Sequence, residues 1–302
     1  MDWFLLSFIS SMGMGLVSVL DKRLLDAHFP SVRSLTLMIG IVWSAKGIVI
    51  LAVGLLVFGM PHLGYMGLAW LTGAIMGLGL AFYFWGLTFE EVSRASPIFG
   101  TSPLFAALLA VLFLSEELAG IQWSGMLAIV LGAALLSFRP TAGHKKFIGV
   151  KSLGIFFVAA LLAGSALVLN KQAASGLSVW ALFGCYAFGI GFSLAIISLR
   201  PTVFRQVASV VRVPAAIRLF LITELALAGL AILLLQIALK LGPVSVIGGI
   251  IASRSLFVLI YSSLLSTPFW NVLNEPLDRQ TLALKSFSTV LIVVGLVALT
   301  VY

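Results

Sequence analysis

Apolar residues run through this chain in long unbroken blocks, and polar residues fall mainly in the short gaps between them. Charge-free blocks cover residues 3–20, 95–115, 118–138, 152–170, 172–199, 255–274 and 286–302. A longer block, 47–89, is interrupted at Gly59-Met60-Pro61-His62, which reads as a turn between two spans. A helix needs about 20 mostly apolar residues to cross the hydrocarbon layer of a bilayer. Ten spans are therefore expected, near 3–22, 33–58, 65–88, 95–115, 121–138, 152–170, 178–199, 216–239, 243–265 and 283–301. The blocks are continuously apolar rather than alternating, which favours helices over the strands of a barrel.

Composition agrees with an all-α integral membrane protein. Of 302 residues, 61% are hydrophobic and 9% charged, against about 25% charged in a soluble domain. Met1-Asp2-Trp3 lacks a basic n-region and a small-residue cleavage site, so the first span is expected to be retained. The expected location is the plasma membrane, or the inner membrane of a bacterium. The single cysteine, Cys185, lies in an apolar block and rules out an intrachain disulfide or a cysteine metal centre. His28, His62 and His144 fall in predicted loops. No metal, cofactor or nucleotide loop is expected, and no catalytic constellation stands out. The net charge of +8 is read as cytoplasmic loops beside anionic lipid, not as nucleic-acid binding.

The basic residues sort by loop. Those following spans one, three, five, seven and nine hold Lys22, Arg23, Arg33, Arg94, Arg139, Lys145, Lys146, Lys151, Arg200, Arg205, Arg212, Arg218, Arg279 and Lys285. The opposite side holds only Lys171 and Lys240. Since Lys and Arg favour the cytoplasmic side, both termini are expected on the non-cytoplasmic side. The clean split also favours an even number of spans, because a miscounted helix would scramble it.

The two halves of the chain resemble each other. Residues 86–105 align without gaps on 238–257, with Val92-Ser93 on Val244-Ser245 and Thr101 on Ser253. Upstream, Val19-Leu20-Asp21-Lys22 resembles Val168-Leu169-Asn170-Lys171, and later Glu116-Glu117-Leu118 resembles Glu275-Pro276-Leu277. Five spans per half is an odd number, so the second copy enters the membrane upside down. Inverted repeats are a recurrent device of transporters, which rock two similar halves about a site near the midplane. The expected organisation is a first five-helix repeat at 1–138, a basic connecting loop at 139–151, and a second five-helix repeat at 152–302.

Two stretches carry a family resemblance. The first runs through Tyr83-Phe84-Trp85-Gly86-Leu87, Val92-Ser93-Arg94-Ala95-Ser96-Pro97 and Ser102-Pro103-Leu104-Phe105. It continues through Leu114-Ser115-Glu116-Glu117-Leu118, Gln122 and Gly125, to Gly132-Ala133-Ala134-Leu135-Leu136. The second is looser: residues 238–245 keep the turn, Ser255-Leu256 replaces Pro-Leu, and Asn274-Glu275-Pro276-Leu277 and Gly295 keep the remainder. This order resembles the EamA-type repeat of the drug/metabolite transporter superfamily. The resemblance implies ten helices in an inverted repeat and transport without ATP hydrolysis. Better-known members of this pattern are drawn with cytoplasmic termini; the charge distribution here points the other way and is followed.

Three ionisable residues stand inside predicted spans: Arg254 in 243–265, Lys46 in 34–58 and Glu224 in 215–239. A cation near the bilayer centre costs roughly 2.5–3.5 kcal/mol on insertion scales, so such residues face a cavity or a partner. Arg254 suits an oxyanion, because its planar fork pairs with carboxylate or phosphate. The bland alternative is a fixed Arg254–Glu224 pair. Lys46 is a second candidate for substrate, with a backbone-bound ammonium as its alternative. Glu224, which the repeat places opposite Thr72, is a candidate for proton coupling. Tyr83, Gln236 and Ser96 are expected to line the same cavity. Ser96-Pro97 and Ser102-Pro103 would distort span four, since each proline removes a helix hydrogen bond. Gly73, Gly77 and Gly79 in span three, and Gly184, Gly189 and Gly191 in span seven, offer faces for close helix approach. Asp21-Lys22 and Asn170-Lys171 read as interfacial caps, with a gate as the alternative. Glu116, Glu117 and Glu275 read as loop residues that cap short connections.

The expected function is secondary transport, by alternating access, of a small organic metabolite carrying a carboxylate or phosphate, with export suggested by the family likeness. The alternative is a flippase subunit or a non-transporting membrane assembly component. An enzyme is disfavoured. The expected partners are a small-molecule substrate, membrane lipid and a coupling proton, with a monomer or homodimer as the assembly.

Overall fold

The computed structural model describes residues 2–86, 98–136, 150–265 and 279–300, and these are almost wholly helical. In chain order the helices are α1 (Asp2–Ala27), α2 (Val32–Phe58), α3 (Leu63–Gly86), α4 (Ser102–Leu114), α5 (Gly120–Leu136), α6 (Val150–Ala174), α7 (Val179–Ser198) and α8 (Pro201–Val211). They continue with α9 (Pro214–Leu241), α10 (Val244–Ala252), α11 (Arg254–Leu265) and α12 (Arg279–Thr300). Six of these helices (α1, α2, α3, α6, α7 and α9) are long and apolar enough to cross a membrane. Shorter apolar helices lie at Ser102–Leu114, Gly120–Gly132 and Val244–Val258. The chain is thus an all-helical membrane protein.

Local chemistry sets the helix ends. Ser31 caps α2 through a reciprocal pair in which Ser34 N donates to Ser31 Oγ and Ser31 N donates to Ser34 Oγ, both at 3.2 Å. At the other end Gly59 takes φ 78, a backbone region that favours glycine, and its N–H closes on Leu55 O. Ser178 Oγ accepts from Ala181 N at the start of α7. Pro201 and Pro214 stand at the first turns of α8 and α9, where a missing N–H costs nothing.

Two expectations need correction. The stretch after span seven, read as a basic loop, contains α8. Val203, Val207 and Val210 are buried on one face of it while Arg205 is exposed. Its i, i+4, i+7 spacing was hidden by the flanking arginines. Span nine is not one continuous helix either. It breaks at Ser253, between α10 and α11, and Arg254 opens the second piece.

Glycine contacts fix how the helices run. A Cβ on Gly40 would strike the Ala195 backbone, one on Gly47 that of Phe188, and one on Gly54 would crowd Trp180. Helices α2 and α7 are therefore antiparallel and nearly touch. Gly73 lies on the Tyr186 carbonyl and Gly77 on Ile190, so α3 and α7 run the same way. Gly132 meets Ser288 and Ile292, and Gly295 meets Gly125 and Ile129, which makes α5 and α12 antiparallel. Small residues let backbones approach where no hydrophobic effect drives helices together. The main buried cluster joins α1, α2, α7, α8 and α9 through residues such as Leu24, Trp43, Phe183, Val207, Phe220 and Ile232.

The helix ends on the N-terminal side are tied to each other. Trp3 covers Gly242. Lys171 Nζ donates to Leu239 O and Gly242 O, both at 2.7 Å, and Lys240 Nζ donates to Leu177 O. Glu116, in the connection after α4, receives Val244 N at 2.8 Å on one oxygen. Its other oxygen takes Ser245 N at 3.0 Å and Ser245 Oγ at 2.5 Å. A carboxylate on two free N–H groups at the start of α10 is a strong cap, favoured also by the helix dipole. Glu117, its neighbour, is exposed and has no such role.

Two outcomes follow for thermal unfolding in detergent. Gly73→Val forces backbone atoms apart and should lose about 1–3 kcal/mol, whereas Gly154→Ala, at a position with open space, should leave the unfolding temperature unchanged or slightly raised. Glu116→Ala should cost about 1–2 kcal/mol through loss of the α10 cap, and Glu117→Ala should cost almost nothing.

Candidate functional site

Glu224 sits in Leu221–Leu227, a π-helical segment of α9. Such a turn displaces side chains and carbonyls from the regular α-helical pattern, and π segments recur at functional sites. The Glu224 side chain is 4% exposed. Its Oε2 accepts from Trp43 Nε1 at 2.7 Å, and its backbone carbonyl accepts from Lys46 Nζ at 3.2 Å. Trp43 and Lys46 are three residues apart on α2, one turn of one face. The Lys46 ammonium also stands 3.3 Å from the centroid of the Trp43 ring and 5.8 Å from that of Phe183. A desolvated cation over an indole gains about 2 kcal/mol or more. Lys46, 8% exposed, is thus held by a ring face and a carbonyl rather than by lipid headgroups, and it does not snorkel.

Arg254 approaches from the break between α10 and α11. Its Nε donates to Ser18 Oγ at 2.8 Å, and its Nη2 donates to the same hydroxyl. Asp21, Glu224 and Tyr83 lie within electrostatic reach of the guanidinium. Asp21 lies one turn beyond Ser18 on α1 and faces Glu224 across the α1–α9 seam. Its Oδ1 is buried without a hydrogen-bond donor. The seam is close because Ser10 Oγ donates to Ala231 O at 2.7 Å and Gly13 lies against Ala231. Next to it, Ser11 and Ser253 hydroxyls stand 3.1 Å apart, fixing the break that carries Arg254. Two cations and two carboxyl groups, from α1, α2, α9 and α11, thereby share one enclosed region.

The predicted site residues do not all meet there. Arg254, Lys46, Glu224 and Tyr83 do, with Tyr83 also in edge-on or tilted ring contact with Phe84, Phe99 and Phe156. Gln236 does not. It belongs to a second buried polar group, where Asn170 Nδ2 donates to Gln236 Oε1 at 2.7 Å and the Thr72 hydroxyl lies 3.4 Å from Asn170 Oδ1. Gln236 is fully buried, and its Nε2 has no partner among the described residues. Ser96 lies outside the described residues, as do Pro97 and Glu275. The alternative of a fixed Arg254–Glu224 pair is too simple, since the guanidinium hydrogen-bonds to Ser18 and faces two carboxyl groups.

Sequence reasoning passed over Ser18 and Trp43, and set Asp21 down first as an interfacial cap, with a gate as the alternative. Asp21 was read as a helix-end cap because it precedes Lys22, yet α1 continues to Ala27. Two signals pointed to it. Ser18 and Asp21 share a helix face, and the repeat sets Asp21 against Asn170 just as it sets Glu224 against Thr72. The structure brings the first members together and the second members together.

A cavity of about 430 Å³ opens on the other end of the bundle from the Glu116 ties. It is bounded by the start of α2 and the ends of α3 and α7, with Arg33, Thr36, Trp85 and Ser198 among its walls. Thr36 and Ser198 hydroxyls are 2.7 Å apart at its edge.

A solved structure titled "Crystal structure of protein" has the same fold: TM-score 0.72, with 99% of this chain and 96% of that chain covered at 18% identity. No curated protein matches this sequence. Residues 1–138, helices α1 to α5, match the model of the EamA-like transporter family.

Proposed function

We propose that this protein is a secondary transporter which moves a small organic acid or phosphate ester by alternating access between two inverted five-helix halves. The observation that carries this reading is the convergence of Asp21, Lys46, Glu224 and Arg254 in one region between four helices, two from each end of the sequence. Charges stranded in hydrocarbon are too costly to keep without a polar task. Here both signs are present, and Arg254 supplies the planar fork that recognises an oxyanion.

Helix directions support the inverted arrangement. Helices α2 and α7 occupy corresponding places in the two halves, as do α5 and α12, and each pair runs antiparallel. The ten-span count rests on adding the shorter apolar segments α4, α5, α10–α11 and α12 to the six long helices. The ends of the bundle differ in a way that supports access from one face. Lys171 binds two carbonyls on the N-terminal side, while its sequence counterpart Lys22 is exposed. The basic loops make the Lys22 face cytoplasmic. A proton gradient acting through Glu224 is the proposed driving force, and export is the direction carried over from the family likeness.

Purified protein in liposomes tests the reading with a panel of carboxylates and phosphate esters. Glu224→Gln should abolish flux driven by a pH gradient while sparing counterflow exchange; loss of both assigns Glu224 to binding or structure. A ligand that raises the unfolding temperature of the wild type should lose that effect, with affinity down about tenfold to a thousandfold, in Arg254→Ala, since a charged hydrogen bond is worth about 1.5–3 kcal/mol or more when buried. Equal stabilisation of both proteins removes Arg254 from the site.

A further inference from the structure

The Asp21–Glu224 contact presents two hydrogen-bond acceptors to each other. Asp21 Oδ1 is buried and has no donor, and the group it faces is the Glu224 carboxyl. Ionised carboxylates carry no proton to donate. A single proton held between them satisfies both. The surroundings on every packed element are compatible with one remaining negative charge. From α2, Trp43 Nε1 donates to Glu224 Oε2 and Lys46 binds the Glu224 carbonyl. From α11, Arg254 faces both carboxyls, and Tyr83 of α3 faces Arg254.

The repeat supplies an internal control. At the positions corresponding to Asp21 and Glu224 stand Asn170 and Thr72, which also meet. There an amide and a hydroxyl provide their own donors, so that pair needs no proton from solution. The same place in the fold is built once with donors and once without.

We propose that Asp21 and Glu224 form one proton-binding site, a single proton bridging the two carboxyls, and that Asp21 is a coupling residue equal in rank to Glu224. The role in coupling rests on the transporter reading above; the shared proton does not. The step balances simply: one proton enters from water, the carboxyl–carboxylate hydrogen bond forms, and release returns the same proton. Two carboxyl groups acting as a unit also implies that removing either does as much as removing both.

Infrared difference spectroscopy of the purified protein, in water and in deuterium oxide, reads the bridging proton through the carbonyl stretch of a protonated carboxyl group. The wild type should show this band at neutral pH, and Asp21→Asn and Glu224→Gln should each abolish it, because an amide then donates to the remaining carboxylate. Asp21→Asn should also unfold at the same or a higher temperature than the wild type, having gained the donor its counterpart Asn170 already has. A wild type without the band, or one variant that keeps it, overturns the shared site. So does a wild type without the band whose unfolding temperature rises with sodium and not with acidity, which assigns the position to a metal cation. In liposomes, Asp21→Asn, Glu224→Gln and the double variant should lose gradient-driven flux equally and keep counterflow; driven flux surviving in Asp21→Asn overturns its coupling role. If the wild type moves no solute of the panel yet shows the band and its loss in both variants, the transporter reading fails and the proton site stands.

Discussion

The need to satisfy charge away from water shapes this molecule more than any other constraint. Lys46, Glu224, Asp21 and Arg254 lie within helices whose remaining residues are nearly all apolar. Each would be expensive alone in hydrocarbon. Together they divide the cost: the indole of Trp43 covers one cation and donates to one carboxylate, Ser18 takes the guanidinium, and a π turn frees the Glu224 carbonyl for Lys46. Apart from the Trp43–Lys46 stack within α2, none of these contacts is local in sequence. They form only when α1, α2, α9 and α11 are brought into register, so the cluster selects one packing among the many that apolar helices would otherwise allow.

Glycine supplies that register. The α2–α7 and α3–α7 seams are closed by glycines whose replacement would drive a Cβ into backbone. Close seams of this kind give rigid units, because a backbone–backbone contact cannot slide by a fraction of a residue. The α1–α9 seam differs. It is held by a hydroxyl at Ser10 and by the Asp21–Glu224 contact as well as by Gly13. This seam is where the buried charge is found.

Much of this was legible in the sequence, for physical reasons that also mark the limit. The long helices α1, α2, α3, α6, α7 and α9 follow from apolar blocks of bilayer length, and Lys46, Glu224 and Arg254 stand out because charge inside such a block is so improbable. The glycine faces of α3 and α7 read correctly as contact surfaces, but which helix they touch is a tertiary fact. Asp21 was placed at a helix end, where charge is ordinary, with a gate as the alternative; α1 in fact continues to Ala27. Gln236 was assigned to the Arg254 region on polarity alone; the turn of α9 instead points it to Asn170. Helix α8 escaped because its apolar face is only three valines wide. Ser96 lies outside the described residues, so its place in the cavity stays an expectation.

The unequal chemistry of the two corresponding pairs bears on how a protein built from similar halves could work. If both pairs carried carboxyls, a proton bound on one side would be energetically equivalent to one bound on the other, and neither face would be preferred. Replacement of one pair by Asn170 and Thr72 removes that equivalence while preserving a polar contact at the same place in the fold. The neutral pair lies by Lys171 and the tied helix ends, the ionisable pair toward the opposite end of α1. On the proposal above, a proton has a binding site at one of the two pairs only, at the α1–α9 seam, and none at the α3–α6 seam. Each pair joins one helix of the first half to one of the second; an amide and a hydroxyl in place of two acids are enough to leave one pair a fixed polar contact and, on that proposal, the other a proton site.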